Sequence, residues 1–316
     1  MLQGDSLSLA RLITLVERES PDAPEILRLA GPHAGGGHRI GFTGPPGSGK
    51  STLVDQVTGR LRAAQATVGV IAVDPSSPFS GGALLGDRIR MERHYRDSGV
   101  YIRSMGTRGG HGGLPSAIER AVMLVEASGK EYVLVETVGV GQTELDVMDA
   151  ADTVVVVLVP EAGDTVQTMK AGLMEIGDIF VVNKADRDGA DKLARGIETS
   201  LHLSARESSW TAPVLTTQAN EDVGTEELID AVSRHREASE ASGELADRRR
   251  RRMATQFFKT LEAKVHAALH DVIASDGEVR TVVDRVENGE VDPYTAATEM
   301  LRDRELVRNW LSALDS

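Results

Sequence analysis

The chain has 316 residues, 41% hydrophobic and 26% charged, a balance that fits a folded globular protein and excludes wholesale disorder. Its 35 basic and 48 acidic residues give a formal charge of -13, which argues against a nucleic-acid or acidic-membrane binder, because counterion release needs a positive surface. There is no cysteine, so disulfides, thiolate metal sites and cysteine nucleophiles are excluded, and a reducing, cytoplasmic setting is expected.

The start Met-Leu-Gln-Gly-Asp-Ser has no basic region followed by an apolar core, so no signal peptide is expected. The longest apolar run, Val154 to Val159, is too short to span a bilayer. From Leu7 to Arg18, Leu9, Leu12, Ile13 and Val16 recur at helical spacing and predict an amphipathic arm. Ser20 to Pro24 breaks it, a short helix follows around Glu25 to Ala30, and Gly31 to Gly37 leads into a first strand. The expected division is therefore an arm over 1–37, a nucleotide domain over 38–240 and a helical region over 241–316.

The apolar run Arg39 to Thr43 is followed by Gly44-Pro45-Pro46-Gly47-Ser48-Gly49-Lys50-Ser51 and then by the helix-compatible stretch Thr52 to Arg62. This is the G-x-x-x-x-G-K-S phosphate-binding loop in its strand-to-helix context. Glycines let backbone N–H groups turn toward a phosphate, and the helix start adds unpaired donors and its positive dipole end. Gly44, Gly47, Ser48, Gly49, Lys50, Ser51 and Thr52 are the expected phosphate-binding set. Lys50 can reach the β- and γ-phosphates, and the Ser51 hydroxyl can ligate Mg²⁺.

Thr67 to Val73 reads as the next strand, with Asp74 at its carboxyl end, where ligands gather in parallel sheets. Asp74 is a candidate for the Mg²⁺ shell or simply the start of a turn before Pro75. The glycine-rich stretches Ser80 to Arg88 and Arg103 to Gly113 read as connectors or as switch segments beside a nucleotide. Glu131 to Glu136 is a further strand ending in Glu136-Thr137-Val138-Gly139, an acidic motif that can hold Mg²⁺ through water. Glu136 can reach either a metal-bound water or the attacking water. Gly139 can offer its N–H to a γ-phosphate, and Gln142 is a candidate for orienting water, its ordinary reading being a surface glutamine.

Thr153 to Val159 has the continuous apolarity of a central parallel strand. Asp178 to Val182 is another, ending in Asn183-Lys184-Ala185-Asp186. A carboxylate accepts from both N1–H and the exocyclic amine of guanine, whereas adenine offers an acceptor at N1, so this tetrad predicts GTP over ATP. Val214 to Thr217 reads as the last strand, with Gln218 and Ala219 over the base. A helix is expected over Thr225 to Glu240. The five arginines Arg248 to Arg252 precede an apolar-periodic helix and read as a solvated helix face. Met253, Phe257, Phe258 and Leu261 read as a core or dimer seam, and Pro293 starts a later helix. The scattered histidines give no dedicated metal site.

Strands alternating with helices predict an α/β fold, a P-loop NTPase with a mostly parallel central sheet flanked by helices. The ordered motifs, with Glu136 in place of the usual Asp, the Asp74-Pro75-Ser76-Ser77-Pro78 stretch and the segment Ser80 to Arg90, closely resemble the MeaB/ArgK group of GTPases, whose human relative is the methylmalonic aciduria type A protein. The resemblance implies a homodimer joined through a C-terminal helical extension, and a GTP- and GDP-binding partner of adenosylcobalamin-dependent methylmalonyl-CoA mutase, or a related acyl-CoA mutase, that gates cofactor loading. It implies slow hydrolysis stimulated by the mutase, a Mg²⁺ shell drawn from Ser51, Asp74, Asp87 and Glu136, catalysis by Lys50, Glu136 and Asp87, and an extra switch at Pro160 to Lys170. A catalytic arginine could be Arg88, Arg108 or the partner's. Gln218 departs from the family's usual Ser, and the arm is shorter than in many relatives. The alternatives are a nickel-delivery GTPase and a kinase acting on a transport protein.

Overall fold

Seven strands, the central ones rich in apolar residues, assemble into one sheet in the order β3-β2-β4-β1-β5-β6-β7. The computed structural model describes residues 1–74, 91–106, 113–137, 148–160, 172–203 and 210–312. The strands are β1 (His38–Thr43), β2 (Val68–Asp74), β3 (Val100–Gly106), β4 (Tyr132–Glu136), β5 (Thr153–Leu158), β6 (Ile179–Asn183) and β7 (Val214–Thr217). Every neighbouring pair is parallel, so all carboxyl ends lie on one edge. The register sets Phe42 beside Glu136 and Asn183 beside Thr217. Residues that chemistry needs together are thus placed by strand pairing alone.

Parallel strands need crossovers, and the helices cover both faces of the sheet. One face carries α1 (Ser6–Glu17), α2 (Ala23–Ala30), α4 (Gly113–Ala127) and α5 (Ala190–Leu203), whose Leu9, Ile13, Ile118, Val122 and Ile197 are buried. The other carries α3 (Lys50–Ala63) and α6 (Thr225–Ser242), which bury Leu53, Val54, Val57, Leu228 and Ala231. Between these layers every residue of β5 is buried, as its unbroken apolarity predicts.

The arm is a part of this core. Asp5 caps α1 by accepting from the Leu7 and Ser8 amides, and Leu9, Ile13 and Val16 are each 1% exposed. Burial of each such side chain stabilises by about 2 kcal/mol. Arg103 on β3 binds Glu17 at 2.5 Å, and Arg120 on α4 binds Glu19 at 3.0 Å. Residues 103–106 belong to a strand, which corrects their reading as the start of a glycine-rich segment. β3 is an edge strand, and half-buried Arg103 and Ser104 interrupt the apolar run that marks the central strands.

The amino edge of the sheet holds a buried ionic network. The five-arginine run lies in α7 (Glu244–Ser275), and three of its members overturn the expectation of a solvated face. Arg248 donates from both terminal nitrogens to Asp178, at 2.8 and 3.0 Å. Arg249 binds Asp152 at 2.6 and 3.2 Å, and Arg252 reaches the same carboxylate at 2.9 Å. Positions i, i+1 and i+4 share one side of a helix, and both acids begin or precede core strands. Burial alone would raise the Asp152 carboxyl, but the hydrogen bond from Arg249 and the charge of Arg252 hold it well below the usual carboxylate range. Asp178 is likewise opposed by burial yet lowered to about 2 by His235 and Arg248. His38, 1% exposed, is pushed down to about 4 by burial, despite the Asp152 carboxylate 3.9 Å away.

The chain forms two compact units, Met1–Met253 and Ala254–Ser316. In the second, the remainder of α7 is followed by α8 (Gly277–Glu287), α9 (Pro293–Arg302) and α10 (Arg304–Ser312). Val279, Leu306 and Trp310 form its small core, and Asp276 and Asp292 cap α8 and α9. Met253, Phe257, Phe258 and Leu261 are 63%, 61%, 58% and 47% exposed, so they are not part of a core within this chain.

Asp152→Ala strands two arginines that its carboxylate neutralises, so a loss of about 3–5 kcal/mol is expected in chemical denaturation. His38 should make stability fall with acid. A folded value near 4 against the ordinary 6.5 means the fold refuses a proton that the unfolded chain takes, so its contribution is complete above 6.5 and lost as pH falls toward 4. The loss approaches about 3 kcal/mol. Denaturant midpoints measured from pH 7 to 4.5 should drop less in His38→Gln than in the natural chain.

Candidate nucleotide site

The loop after β1 is shaped by positions that accept no side chain. Gly44 has φ 140°, and a Cβ there would lie 2.0 Å from the Val157 carbonyl oxygen on β5. Gly49, at φ 88°, would bring a Cβ within 2.3 Å of the Asn183 amide nitrogen. The loop is therefore pressed against the ends of β5 and β6, and α3 starts directly from it at Lys50. That places the helix's unpaired amides and positive dipole end at the carboxyl edge of the sheet.

Lys50 is 5% exposed, and its ammonium donates to the carbonyls of Gly44 at 2.9 Å and Pro45 at 3.0 Å. It is held across the mouth of its own loop. Ser51 Oγ donates to Glu136 Oε1 at 2.6 Å, both side chains being buried. Next to this pair the Thr137 amide donates to the Phe42 carbonyl at 3.1 Å, tying the start of the acidic motif to β1. A hydroxyl and a carboxylate side by side are hard oxygen donors, the chemistry that suits a partly hydrated Mg²⁺. Among the described residues no cluster of three or more His, Asp or Glu side chains is arranged to hold a metal, so any cation here would complete its shell with water and phosphate.

The second half of the site is built on Asn183. Its Nδ2 donates to the Ser48 carbonyl at 2.8 Å, while Oδ1 accepts from Thr217 Oγ1 at 3.0 Å and the Ala219 amide at 3.1 Å. Asn183 is thus a brace joining three segments. Lys184, in the left-handed region at φ 56°, donates to the Gly47 carbonyl at 2.9 Å. Asp186 is exposed, and its carboxylate has no hydrogen-bond or ion-pair partner among the described residues. Gln218 is half-buried and forms a small bridge with Val223, and Ala219 is 3% exposed.

Of the residues expected from sequence, Lys50, Ser51 and Glu136 converge at the phosphate loop, and Asn183, Lys184 and Ala219 converge on its other flank. Asp87, Gly139, Gln142, Arg88, Arg108 and the switch at 161–170 lie outside the described residues, as does the side chain of Asp74, whose backbone ends β2. Sequence reading missed Thr217, although a Thr ending a strand beside Asn183 is a usable signal. It also missed the way Asn183 and Lys184 grip the carbonyls of Ser48 and Gly47.

Comparison with known proteins gives a consistent result. The family described as "Methylmalonyl Co-A mutase-associated GTPase MeaB" matches residues 9–273. A Pyrococcus abyssi relative is 48% identical over 306 residues, covering 96% of this chain and 94% of its own. Escherichia coli GTPase ArgK is 35% identical, with 94% of this chain and 92% of its own covered. The crystal structure of a LAO/AO transport system kinase superposes with a TM-score of 0.70 at 29% identity, over 94% of this chain and 93% of that one. With a phosphate loop, a hydroxyl–carboxylate pair and an Asn-Lys-x-Asp flank on one sheet edge, this chain belongs to the MeaB family of methylmalonyl-CoA mutase-associated GTPases.

Proposed function

We propose that this chain binds GTP and GDP, hydrolyses GTP with Mg²⁺, and acts as a G-protein chaperone that gates adenosylcobalamin loading and protects or reactivates methylmalonyl-CoA mutase or a related acyl-CoA mutase. The observation that carries the nucleotide part is the close approach of Ser51 to Glu136 at 2.6 Å beside a loop braced by Asn183 at 2.8 Å. The family description supports the mutase part.

In this reading Gly44 to Thr52 wrap the phosphates, and Lys50 swings from its loop carbonyls to the β- and γ-phosphates as a point charge. Ser51 and Glu136 hold Mg²⁺ with Asp74 and Asp87, and Gly139 senses the γ-phosphate. The metal supplies neutralisation of charge on the phosphate oxygens. Glu136 orients water, and the buried setting of Lys50 strengthens its electrostatic hold on the transferring group. Asp186 reads N1–H and the 2-amine of guanine, with Asn183, Lys184, Gln218 and Ala219 shaping the base pocket. The exposed Phe257, Phe258 and Leu261 of α7 offer an apolar seam to a second copy of the chain, completing a cytoplasmic homodimer.

Asp186→Asn should lower GTP affinity by about a hundredfold, because its amide brings a donor against donors, and should improve binding of xanthosine triphosphate, whose base carries a carbonyl at that position. Equilibrium titration with both nucleotides checks this. Steady-state hydrolysis should be slow alone and rise with a purified adenosylcobalamin-dependent methylmalonyl-CoA mutase when GTP, and not ATP, is supplied. Turnover indifferent to the mutase would remove the chaperone role. Transfer of labelled phosphate to a protein would favour a kinase instead.

A further inference from the structure

Beyond its first turn, α3 grips the base side of the site. Gln56 Nε2 donates to the Ala219 carbonyl at 3.0 Å, and its Oε1 accepts from Arg93 Nη2 at 3.0 Å. A carbonyl can only accept and a guanidinium can only donate, so these two partners fix the orientation of the amide. Arg93 is itself anchored: Nε donates to Asp55 Oδ1 at 3.1 Å, and Nη2 donates to the Asp55 carbonyl at 2.8 Å and pairs with Asp55 Oδ2 at 2.8 Å. It lies over Gly59, where a Cβ would come within 3.2 Å of Nη2.

One turn farther along, Arg60 Nε donates to Asp222 Oδ2 at 2.9 Å. Positions 56 and 60 lie on the same side of a helix, so the loop from Gln218 to Val223 hangs from α3 at two points. That same loop gives its Ala219 amide to Asn183 Oδ1. Ala219 is therefore held from both sides, by its carbonyl toward the phosphate-loop helix and by its amide toward the Asn183 brace. Two of these three attachments come from the helix that also carries Lys50 and Ser51.

We propose that Gln56 is a positioning residue for guanine recognition: by holding the Ala219 carbonyl it sets the Gln218–Val223 loop against Asn183 and Asp186, and Arg93 locks its amide. The inference rests on the guanine-nucleotide reading of the site. The hydrogen-bond partners of Gln56, the Ala219 carbonyl and Arg93, lie outside the phosphate loop, so its effect separates from that of Lys50. Removing it leaves the Ala219 carbonyl without its donor and frees the loop to shift, while the phosphate cradle at the start of α3 keeps every contact.

The test compares two probes on the full chain. GDP carries base and phosphates, and inorganic tripolyphosphate carries phosphates alone. Gln56→Met, close in length and volume, should weaken GDP by about five- to tenfold, the scale of one lost hydrogen bond. Tripolyphosphate affinity and turnover at saturating GTP should stay unchanged. Gln56→Glu keeps the acceptor for Arg93 but sets a carboxylate oxygen against the Ala219 carbonyl, so it should weaken GDP at least as much; it also serves if the Met variant folds poorly. Arg93→Met should give a smaller loss in the same direction. Equal weakening of GDP and tripolyphosphate would reduce Gln56 to a structural residue, and unchanged GDP affinity in both Gln56 variants would overturn the proposal. Failure of the natural chain to bind GDP at all would instead sink the guanine reading.

Discussion

A buried carboxamide loses the benefit of burial unless its nitrogen and its oxygen both find partners, and Asn183 finds one for the first and two for the second by joining three stretches of chain. Its partners are the Ser48 carbonyl, the Thr217 hydroxyl and the Ala219 amide. Those contacts fix the height of the phosphate loop over β6 and the place of the loop after β7. Gly49 follows from the same demand, since any side chain there would occupy the space of the Asn183 amide. The hydroxyl–carboxylate pair of Ser51 and Glu136 does for the opposite flank what Asn183 does for this one. The site is a rim on a parallel sheet, in which Lys50, Ser51, Glu136 and Asn183 are engaged with neighbouring parts of the rim.

The other edge of the sheet solves a different problem. Asp152 and Asp178 stand where β5 and β6 begin, and each is held as an anion by arginines from one face of α7. Desolvating such charges is costly, and the arrangement holds because almost every carboxylate oxygen receives more than one donor. His38, Thr153 and His235 continue the network across the sheet, with Thr153 Oγ1 2.9 Å from His38 Nε2 and 2.8 Å from His235 Nδ1. The arginines that anchor α7 thus sit at the amino edge, away from the edge where an incoming phosphate chain would compete for them.

Much of this was legible because the relevant residues are contiguous. The phosphate loop, the Glu136 strand end and the Asn-Lys-x-Asp tetrad each sit within a few residues, and their order along the chain already specifies a parallel sheet with its ligands at one edge. What escaped is set by distant pairing. Arg248 and Asp178 are 70 residues apart, and nothing local distinguishes a bonded arginine from a solvated one. The strand status of β3 was hidden because an edge strand needs no continuous apolar run. Gln56 reads as an ordinary helix surface residue until the loop after β7 is placed beside it.

The arm has a consequence for how the protein is made. Its anchors Arg103 and Arg120 lie 86 and 101 residues downstream of Glu17 and Glu19, and its apolar face packs on helix α4 from the same region. At ordinary ribosomal rates that interval lasts about 5–20 s. Helix α1 therefore carries Leu9, Ile13 and Val16 in water until the sheet behind it exists. The arm is synthesised well before its anchors and docks late, and a nascent chain of this kind has an amphipathic helix to shield throughout the time its nucleotide loop is being completed.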